Sequence, residues 1–473
     1  MPNSPCWGCR WRRVRCDSQQ PACNKCTRKG LPCPGYGNTK PLKWRHRIVQ
    51  LDQQQVVLQP RLPSADAMAS KDLPIHLAHN VMSYYNAMIV PDLSPCGTSV
   101  HRITVEDWAS VGELPKHLYV CMVSLHRVVK CLGNEDENRA LILNHQAYAA
   151  RRLYQMIIDV AHPRLDTRLV EAACMFLCLD IQQSAYGAWR THLKGAKALI
   201  GSWEEDMQGR DDFVRFVISV IDIYGATMTP SKLLLEDTLA EHLLYLRIVG
   251  SLQVDVLSTL TPIPLEILKA TIAINSHRAA VTDQHRISDQ QRYQHLPSLN
   301  AILASLRQFD SYRWAYGLPS QYVLEAENWA LFATCYQSAT TLYLFQSCSP
   351  TADCSTGDEL QNNTRRATYH ILVKSITELF GRRLQGCTHY KYVLWPMVIC
   401  GIESAARGER NDLKFLCSSL ETTTLDLGTL SMREAAEFLE NVWAGCGLRR
   451  SHLMDCVAID WDETFKLAPI FLI

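Results

Sequence analysis

Six cysteines fall within the first 33 residues: Cys6, Cys9, Cys16, Cys23, Cys26 and Cys33. Their spacing is C-x2-C-x6-C-x6-C-x2-C-x6-C, so the half from Cys6 to Cys16 is repeated from Cys23 to Cys33. Thiolates at short fixed spacings, in a chain whose opening lacks the apolar run of a secretory leader, read as metal ligands rather than a disulfide frame. Soft thiolates select zinc, which takes four ligands in a tetrahedron. Six sulfurs are too many for one zinc and too few for two separate sites. Two zinc ions that share two bridging sulfurs fill every position. The repeat makes the bridging pair symmetry-related and leaves three choices open: Cys6 with Cys23, Cys9 with Cys26, or Cys16 with Cys33.

The residues between these ligands are cationic. Arg10, Arg12, Arg13 and Arg15 lie in the single interval between Cys9 and Cys16, and the second half adds Lys25, Arg28 and Lys29. Two zinc ions against six thiolates leave a net anionic cluster, so some of these cations balance it. The surplus fits phosphate and base contacts. The near-neutral total of +1 hides this asymmetry. Residues 1–50 carry a net +10 and the remainder −9. A basic head on an acidic body suggests a head that meets nucleic acid and a body that meets proteins.

The string CWGCRWRRVRCDSQQPACNKCTRKGLPCPGYG resembles the fungal Zn(2)-Cys(6) binuclear zinc cluster transcription factors. It has the family's cysteine spacing, the basic run after the second cysteine, Asp17 after the third, Pro21 before the fourth, and Gly35-Tyr36 after the last. Trp7 fits the usual filling, and Trp11 reads as a cover for the cluster's apolar side. The resemblance implies two Zn2+, with Cys6 and Cys23 bridging, Cys9 and Cys16 completing one site, and Cys26 and Cys33 the other. It also suggests a cis peptide at Pro21, which proline tolerates better than other residues. It implies double-stranded DNA with CGG half-sites as partner. Arg12 and Arg13 would then read guanine, as arginine does bidentately at O6 and N7. Arg10, Arg15, Lys25, Arg28 and Lys29 would neutralise phosphate and balance the cluster. Family members often carry lysine where Arg12 and Arg13 stand, which alters the contact geometry.

The elements that must carry this head follow in order. Residues 1–36 form the cluster module. Residues 37–72 read as a basic linker, where Lys43 and Arg45 would touch phosphate. A short heptad-like series there, Ile48, Leu51, Gln55, Leu58 and Leu62, is cut by Pro60 and falls short of the three or four heptads of a coiled coil. The linker thus reads as an irregular tether, with a short dimerisation element, homo- or heterodimeric, as the other option. From residue 73 to 473 apolar residues recur at three and four, as in HLYVCMVSLHRVVKCL, WRTHLKGAKALI and ENWALFATCYQSATTLYLFQ, while alternating strand patterns are scarce. The expected fold is mainly α: a small N-terminal zinc cluster and a large all-helical regulatory domain. LVEAACMFLCLDIQQSAYGAWRTHLKGAKALI, LWPMVICGIESAARGER and FLENVW resemble landmarks of a fungal-specific transcription factor regulatory domain.

Other constellations give less. Cys174 and Cys178 share a helix face but sit among Met175, Phe176, Leu177 and Leu179, so core packing is the better account. His76 and His79, and the neighbourhood of His101 and Asp107, lack a metalloprotease context. His192 reads as a packed structural residue. The tail DWDETFKLAPIFLI mixes acids with aromatics as activation segments do, but its apolar end reads as docking on the helical body. No nucleophile elbow, Walker loop or dinucleotide fingerprint occurs, so no enzyme is expected. No stretch reaches the length of a bilayer span; the longest apolar run, Val393–Ile402, holds Pro396. The whole reads as a nuclear, zinc-dependent transcription factor of RNA polymerase II genes, acting on a metabolic or biosynthetic pathway with coregulators or the transcription machinery. Two rivals remain: an enzyme with a merely structural cluster, and a corepressor that lost DNA binding while keeping the fold.

Overall fold

The computed structural model describes residues 5–6, 9, 14–19, 22–29 and 33 of the head. Beyond it, the described residues are 73–93, 102–159, 167–184, 186, 189–200, 212–234, 241–242, 245, 262–283, 296–348, 359–449, 457 and 459–466. The chain divides into two compact units, Met1–Ala69 and Ser70–Ile473. Among the described residues there is no strand. Among the described residues of the head, Asn24–Thr27 form a short helix, α1, and Cys9 is also helical. The proposed linker, residues 37–72, lies outside the described residues.

The second unit begins with α2 (Ile75–Tyr84), a π turn at Tyr85–Ile89 and α3 (Val90–Leu93). Pro91 explains the π turn: it has no N–H to donate, and its ring crowds the carbonyl four residues back. Next comes α4 (Val105–Ser110), which opens on a capping box. Thr104 Oγ1 accepts from Asp107 N at 3.0 Å, and Asp107 Oδ2 accepts from Thr104 N at 2.9 Å. Asp107 is thus a helix cap. Helices α5 (Glu113–Val129) and α6 (Glu135–Asp159) follow as an antiparallel hairpin. Its seam is marked by His117 Nδ1 against His145 Nδ1 at 2.8 Å and by Cys121 Sγ donating to Ile142 O at 3.6 Å.

Four further helices complete the first half: α7 (Thr167–Gln183), α8 (Trp189–Ile200), α9 (Asp212–Thr227) and α10 (Leu265–Asp283). Then come α11 (Leu299–Gln308) and α12 (Ser311–Tyr316), capped by Ser298 and Asp310. The long α13 (Ala326–Cys348) and α14 (Glu359–Gly381) are followed by α15 (Leu394–Arg407), α16 (Arg410–Leu427), α17 (Ser431–Arg449) and the short α18 (Trp461–Lys466).

The apolar run at Val393–Ile402 lies in the middle of this unit, for α15 is buried along its length except Arg407. Pro396 sits in its first turn, where no helical N–H bond is forfeited. Trp395 is the hub. Its Nε1 donates to Thr227 Oγ1 at 3.0 Å, and Tyr224 meets it edge-on at 5.0 Å between ring centroids. Tyr343 meets the same ring at 5.9 Å and donates to Asn275 Oδ1 at 2.6 Å. Two glycines are required by close approach. A Cβ on Gly401 would stand 2.5 Å from Leu439 Cδ1 on α17. Gly428 ends α16 at φ +65°, and a Cβ there would stand 2.1 Å from His126 Cδ2.

Among the described residues, the deeply buried charges are paired. Glu403 is wholly inaccessible yet accepts from Arg365 at 2.7 and 2.9 Å, Arg407 at 2.8 Å and Gln346 at 2.9 Å. Burial alone would raise its pKa, but the two guanidiniums hold it below the usual carboxylate value. Arg278, 2% exposed, donates to the carbonyls of Ala226, Thr227 and Thr229 and to Asp462 Oδ1. Asp462 belongs to α18, whose Trp461 and Phe465 are also buried. Trp461 and Phe465 thus pack on the body, while the apolar end expected to dock, residues 467–473, lies outside the described residues. No helix among the described residues is long and apolar enough to cross a membrane.

Candidate metal centre and nucleic-acid interface

The head is built from one small device used twice. In each half the first cysteine of the C-x2-C pair accepts a backbone N–H from the second. Cys6 Sγ accepts from Cys9 N at 3.4 Å, and Cys23 Sγ accepts from Cys26 N at 3.4 Å. In the second half this makes Cys23 the N-cap of α1. Such bonds favour the thiolate and aim both sulfurs inward. The two equivalent sulfurs, Cys6 and Cys23, come to 3.6 Å from each other.

Two groups of four sulfurs result, Cys6, Cys9, Cys16, Cys23 and Cys6, Cys23, Cys26, Cys33. Within each, all sulfurs lie within 4.8 Å of one another. Cys6 and Cys23 belong to both. A tetrahedral zinc with Zn–S of about 2.3 Å needs sulfurs about 3.8 Å apart. Cys9 and Cys23 are 3.6 Å apart and Cys6 and Cys26 are 3.8 Å apart, so the donor set fits the metal. Cys6, Cys9, Cys23 and Cys26 have no exposure at all, while Cys16 and Cys33 are half-buried.

Without metal three of these thiols resist ionisation. Burial pushes Cys9 up to about 12 and raises Cys6 and Cys26 as well. Cys16 goes the other way. Its burial also opposes charge, but N–H groups of Cys6 and Ser18 bring it down to about 7. Binding of a metal at such sulfurs displaces protons.

One residue outside the cysteines shapes the site. Asp17 Oδ2 accepts from Asn24 N at 3.1 Å and so ties the end of the first half to the start of α1. The link needs a sharp reversal, and Ser18 supplies it at φ +56°. Sequence reading marked Asp17 only as part of the resemblance; its role emerges from the fold. A signal was present, since α1 has no acidic residue in its own first turn and Asp17 is the nearest carboxylate upstream.

Of the cations expected to meet DNA, Arg15, Lys25, Arg28 and Lys29 are described, and all four are exposed. Lys25 lies in α1, and Arg28 and Lys29 follow directly after its end. Arg10, Arg12, Arg13, Lys43 and Arg45 lie outside the described residues, as do Trp7, Trp11, Pro21, Gly35, Tyr36 and His101. Elsewhere, Cys174 is buried and Cys178 half-buried on α7, as core packing predicts. His76 and His79 are exposed, and among the described residues they join no group of metal-binding side chains. His192 stacks on Phe176 at 5.7 Å.

A head of zinc-spaced thiols and a body of packed helices define a class, and comparison with known families identifies it. Residues 4–43 match the fungal Zn(2)-Cys(6) binuclear cluster domain, and residues 80–472 match the fungal specific transcription factor domain. The chain belongs to this family of zinc-binding, DNA-binding transcription regulators. Its cluster domain takes two zinc ions, and its role is in transcription regulation. Among curated proteins it is 25% identical over 469 residues to the phomenoic acid biosynthesis cluster-specific transcriptional regulator of Leptosphaeria maculans, covering 93% of this chain and 85% of that protein. It is 33% identical over 78 residues to arginine metabolism regulation protein II of Saccharomyces cerevisiae, covering 16% of this chain and 8% of that one. No solved structure matches.

Proposed function

We propose that the chain acts in the nucleus as a sequence-specific regulator of RNA polymerase II genes, reading CGG triplets and governing a biosynthetic or other metabolic pathway. The observation that carries this reading is the pair of four-sulfur groups sharing Cys6 and Cys23, with an arginine-rich interval inside the first. Cys6, Cys9, Cys16 and Cys23 hold one zinc, and Cys6, Cys23, Cys26 and Cys33 the other. The metal supplies cross-links that fix the fold of a module too small to bury a core. Residues 1–36 form this module, 37–72 a tether, and 73–473 the regulatory domain. Arg12 and Arg13 read guanine in the major groove. Arg10, Arg15, Lys25, Arg28 and Lys29 face phosphate, as do Lys43 and Arg45 of the tether. One triplet carries little information, so a second half-site read by a homo- or heterodimer adds specificity. The biosynthetic assignment is supported by the likeness to the Leptosphaeria maculans regulator.

Selection of sites from a random DNA pool by the purified, zinc-loaded chain tests the reading, with enrichment of CGG expected. Replacing a bidentate reader costs ~1–3 kcal/mol and flattens preference at its guanine. If Arg12→Ala and Arg13→Ala each weaken CGG and scrambled duplexes by the same factor, neither residue reads bases. Lys43→Ala is expected to weaken all sequences alike and to lower the slope of log affinity against log salt by about 1.

A further inference from the structure

Helix α6 is apolar on two neighbouring sides, about 100° apart around its axis. Its inner side is spoken for: His145 and Ala149 are buried, and Ile142, Leu153 and Met156 pack against α5 and α7. The helix is pinned in this rotation by His145 against His117, and by Glu113 of α5, which takes the Tyr148 hydroxyl and stands 3.9 Å from Arg152 Nε. The outer side begins polar, with Glu135, Asp136, Glu137 and Arg139, then changes character. Leu143, Ala147, Ala150, Tyr154 and Ile157 follow one another at spacings of four, three, four and three, and all are exposed. Ile158 widens the stripe. Leu143 is 57% exposed, Tyr154 66% and Ile158 62%. A 4-3-4-3 stripe is the seam pattern by which one helix packs along another. A helix that is apolar on both sides is built to be covered on both.

We propose that a second copy of this chain covers the stripe, with the two α6 helices antiparallel across a two-fold axis. Three features of the stripe select that occupant. First, it is self-complementary in the antiparallel register. Ala147 falls opposite Ala150 of the other copy, where small side chains let the helices approach. Leu143 then falls opposite Tyr154, and Ala140 opposite Ile157. Such an interface uses the same patch twice, as a two-fold dimer must. Second, charge favours this direction. A parallel pair sets the acidic first turn, Glu135, Asp136 and Glu137, against its own copy, whereas the antiparallel pair separates these turns and opposes the helix dipoles. Third, the area suffices. The exposed parts of Leu143, Tyr154, Ile157 and Ile158 sum to on the order of 450 Å2 per chain. Two copies with their alanines and flanks reach the roughly 1,000 Å2 that a specific interface needs. The proposal stands or falls without reference to CGG binding, because its test needs no DNA.

The test is the mass of the zinc-loaded full chain in solution at tens of micromolar, by light scattering on a sizing column. Wild type is expected at twice the 53.6 kDa of one chain. Leu143→Lys and Tyr154→Glu are each expected at the single-chain mass, with an unchanged far-ultraviolet circular dichroism spectrum because neither side chain packs inside its own chain. Mixing the two variants is expected to restore the double mass, since Lys at 143 of one copy faces Glu at 154 of the other. A monomeric wild type overturns the proposal. So does a dimer that persists in both single variants, which places the interface elsewhere. Single variants that are monomeric but stay so on mixing overturn the antiparallel register.

Discussion

The two units of this molecule solve the same problem by opposite means. In the head, the buried residues described are cysteines and nothing else: Cys6, Cys9, Cys23 and Cys26. In the body, the largest described core cluster is apolar and aromatic, around Trp395, Trp329 and Tyr224, and smaller apolar clusters form around Trp108 and around Phe176. A chain of a few dozen residues cannot bury enough surface to offset its lost entropy, whereas one of some four hundred can. The head therefore stakes its fold on ligand bonds, which are few, strong and dependent on metal and protons. The body stakes its fold on packing, which is distributed and needs no metal.

The largest expected effect breaks the comparison at its strongest point. A strong chelator is expected to abolish DNA binding and leave the cooperative thermal melt of the body in place. Within the head, Cys23→Ala is expected to release both zinc ions by elemental analysis, while Cys33→Ala loosens mainly one, since only Cys23 belongs to both sulfur groups. Equal zinc loss from the two variants sinks the idea of a shared Cys23.

The converse change belongs to the body. Glu403→Ala leaves Arg365 and Arg407 facing a buried gap, a loss of about 3–5 kcal/mol in unfolding free energy. Zinc content is expected to stay at two per chain. A urea midpoint that does not move shows that this ion group is not part of what holds the body.

Acid comes next. Burial holds His117, His145 and His242 down at about 4 and His389 at about 3, against an ordinary value of 6.5. Below 6.5 the unfolded chain binds protons that the folded one refuses. Stability carried by these neutral histidines is therefore complete above pH 6.5, and falls as pH drops through about 4, by up to about 1.4 kcal/mol per pH unit for each. Denaturant midpoints at pH 7, 6 and 5 check this, and flat midpoints contradict it. The smallest effect sharpens the contrast from below. Arg139→Ala breaks an exposed pair with Glu135 and is expected to shift stability by less than about 0.5 kcal/mol.

The grouping of the six sulfurs was legible because metal geometry imposes fixed spacings on the chain. The spacing left three bridging pairs open, and the resemblance pointed to Cys6 and Cys23. The Asp17 tie was legible only as the nearest upstream carboxylate, because its geometry depends on a left-handed turn at Ser18 that no spacing announces. In the body, α8 appears at the bounds its apolar period suggested, Trp189–Ile200. Helix α16 carried no such signal. Its run of Thr422, Thr423 and Thr424 reads against a helix, yet each hydroxyl bonds back to a carbonyl four residues earlier, and packing decides the rest. Helix α12, at six residues, is too short to show a period. The outer stripe of α6 was hidden because its inner face alone accounted for the periodicity.

The docking of α18 sets a timetable for synthesis. Trp461 Nε1 donates to the carbonyl of Thr227, 234 residues earlier in the chain, and Asp462 takes the NH2 of buried Arg278. At about 5–20 residues per second, a ribosome finishes α9 some tens of seconds before it makes the helix that closes over it. Through that interval Arg278 waits for a counter-charge and the aromatic floor beneath Trp461 stands open to water. The nascent body is then a natural client for chaperones that hold exposed apolar surface. Any message truncated ahead of Trp461 would leave its product in that state for good.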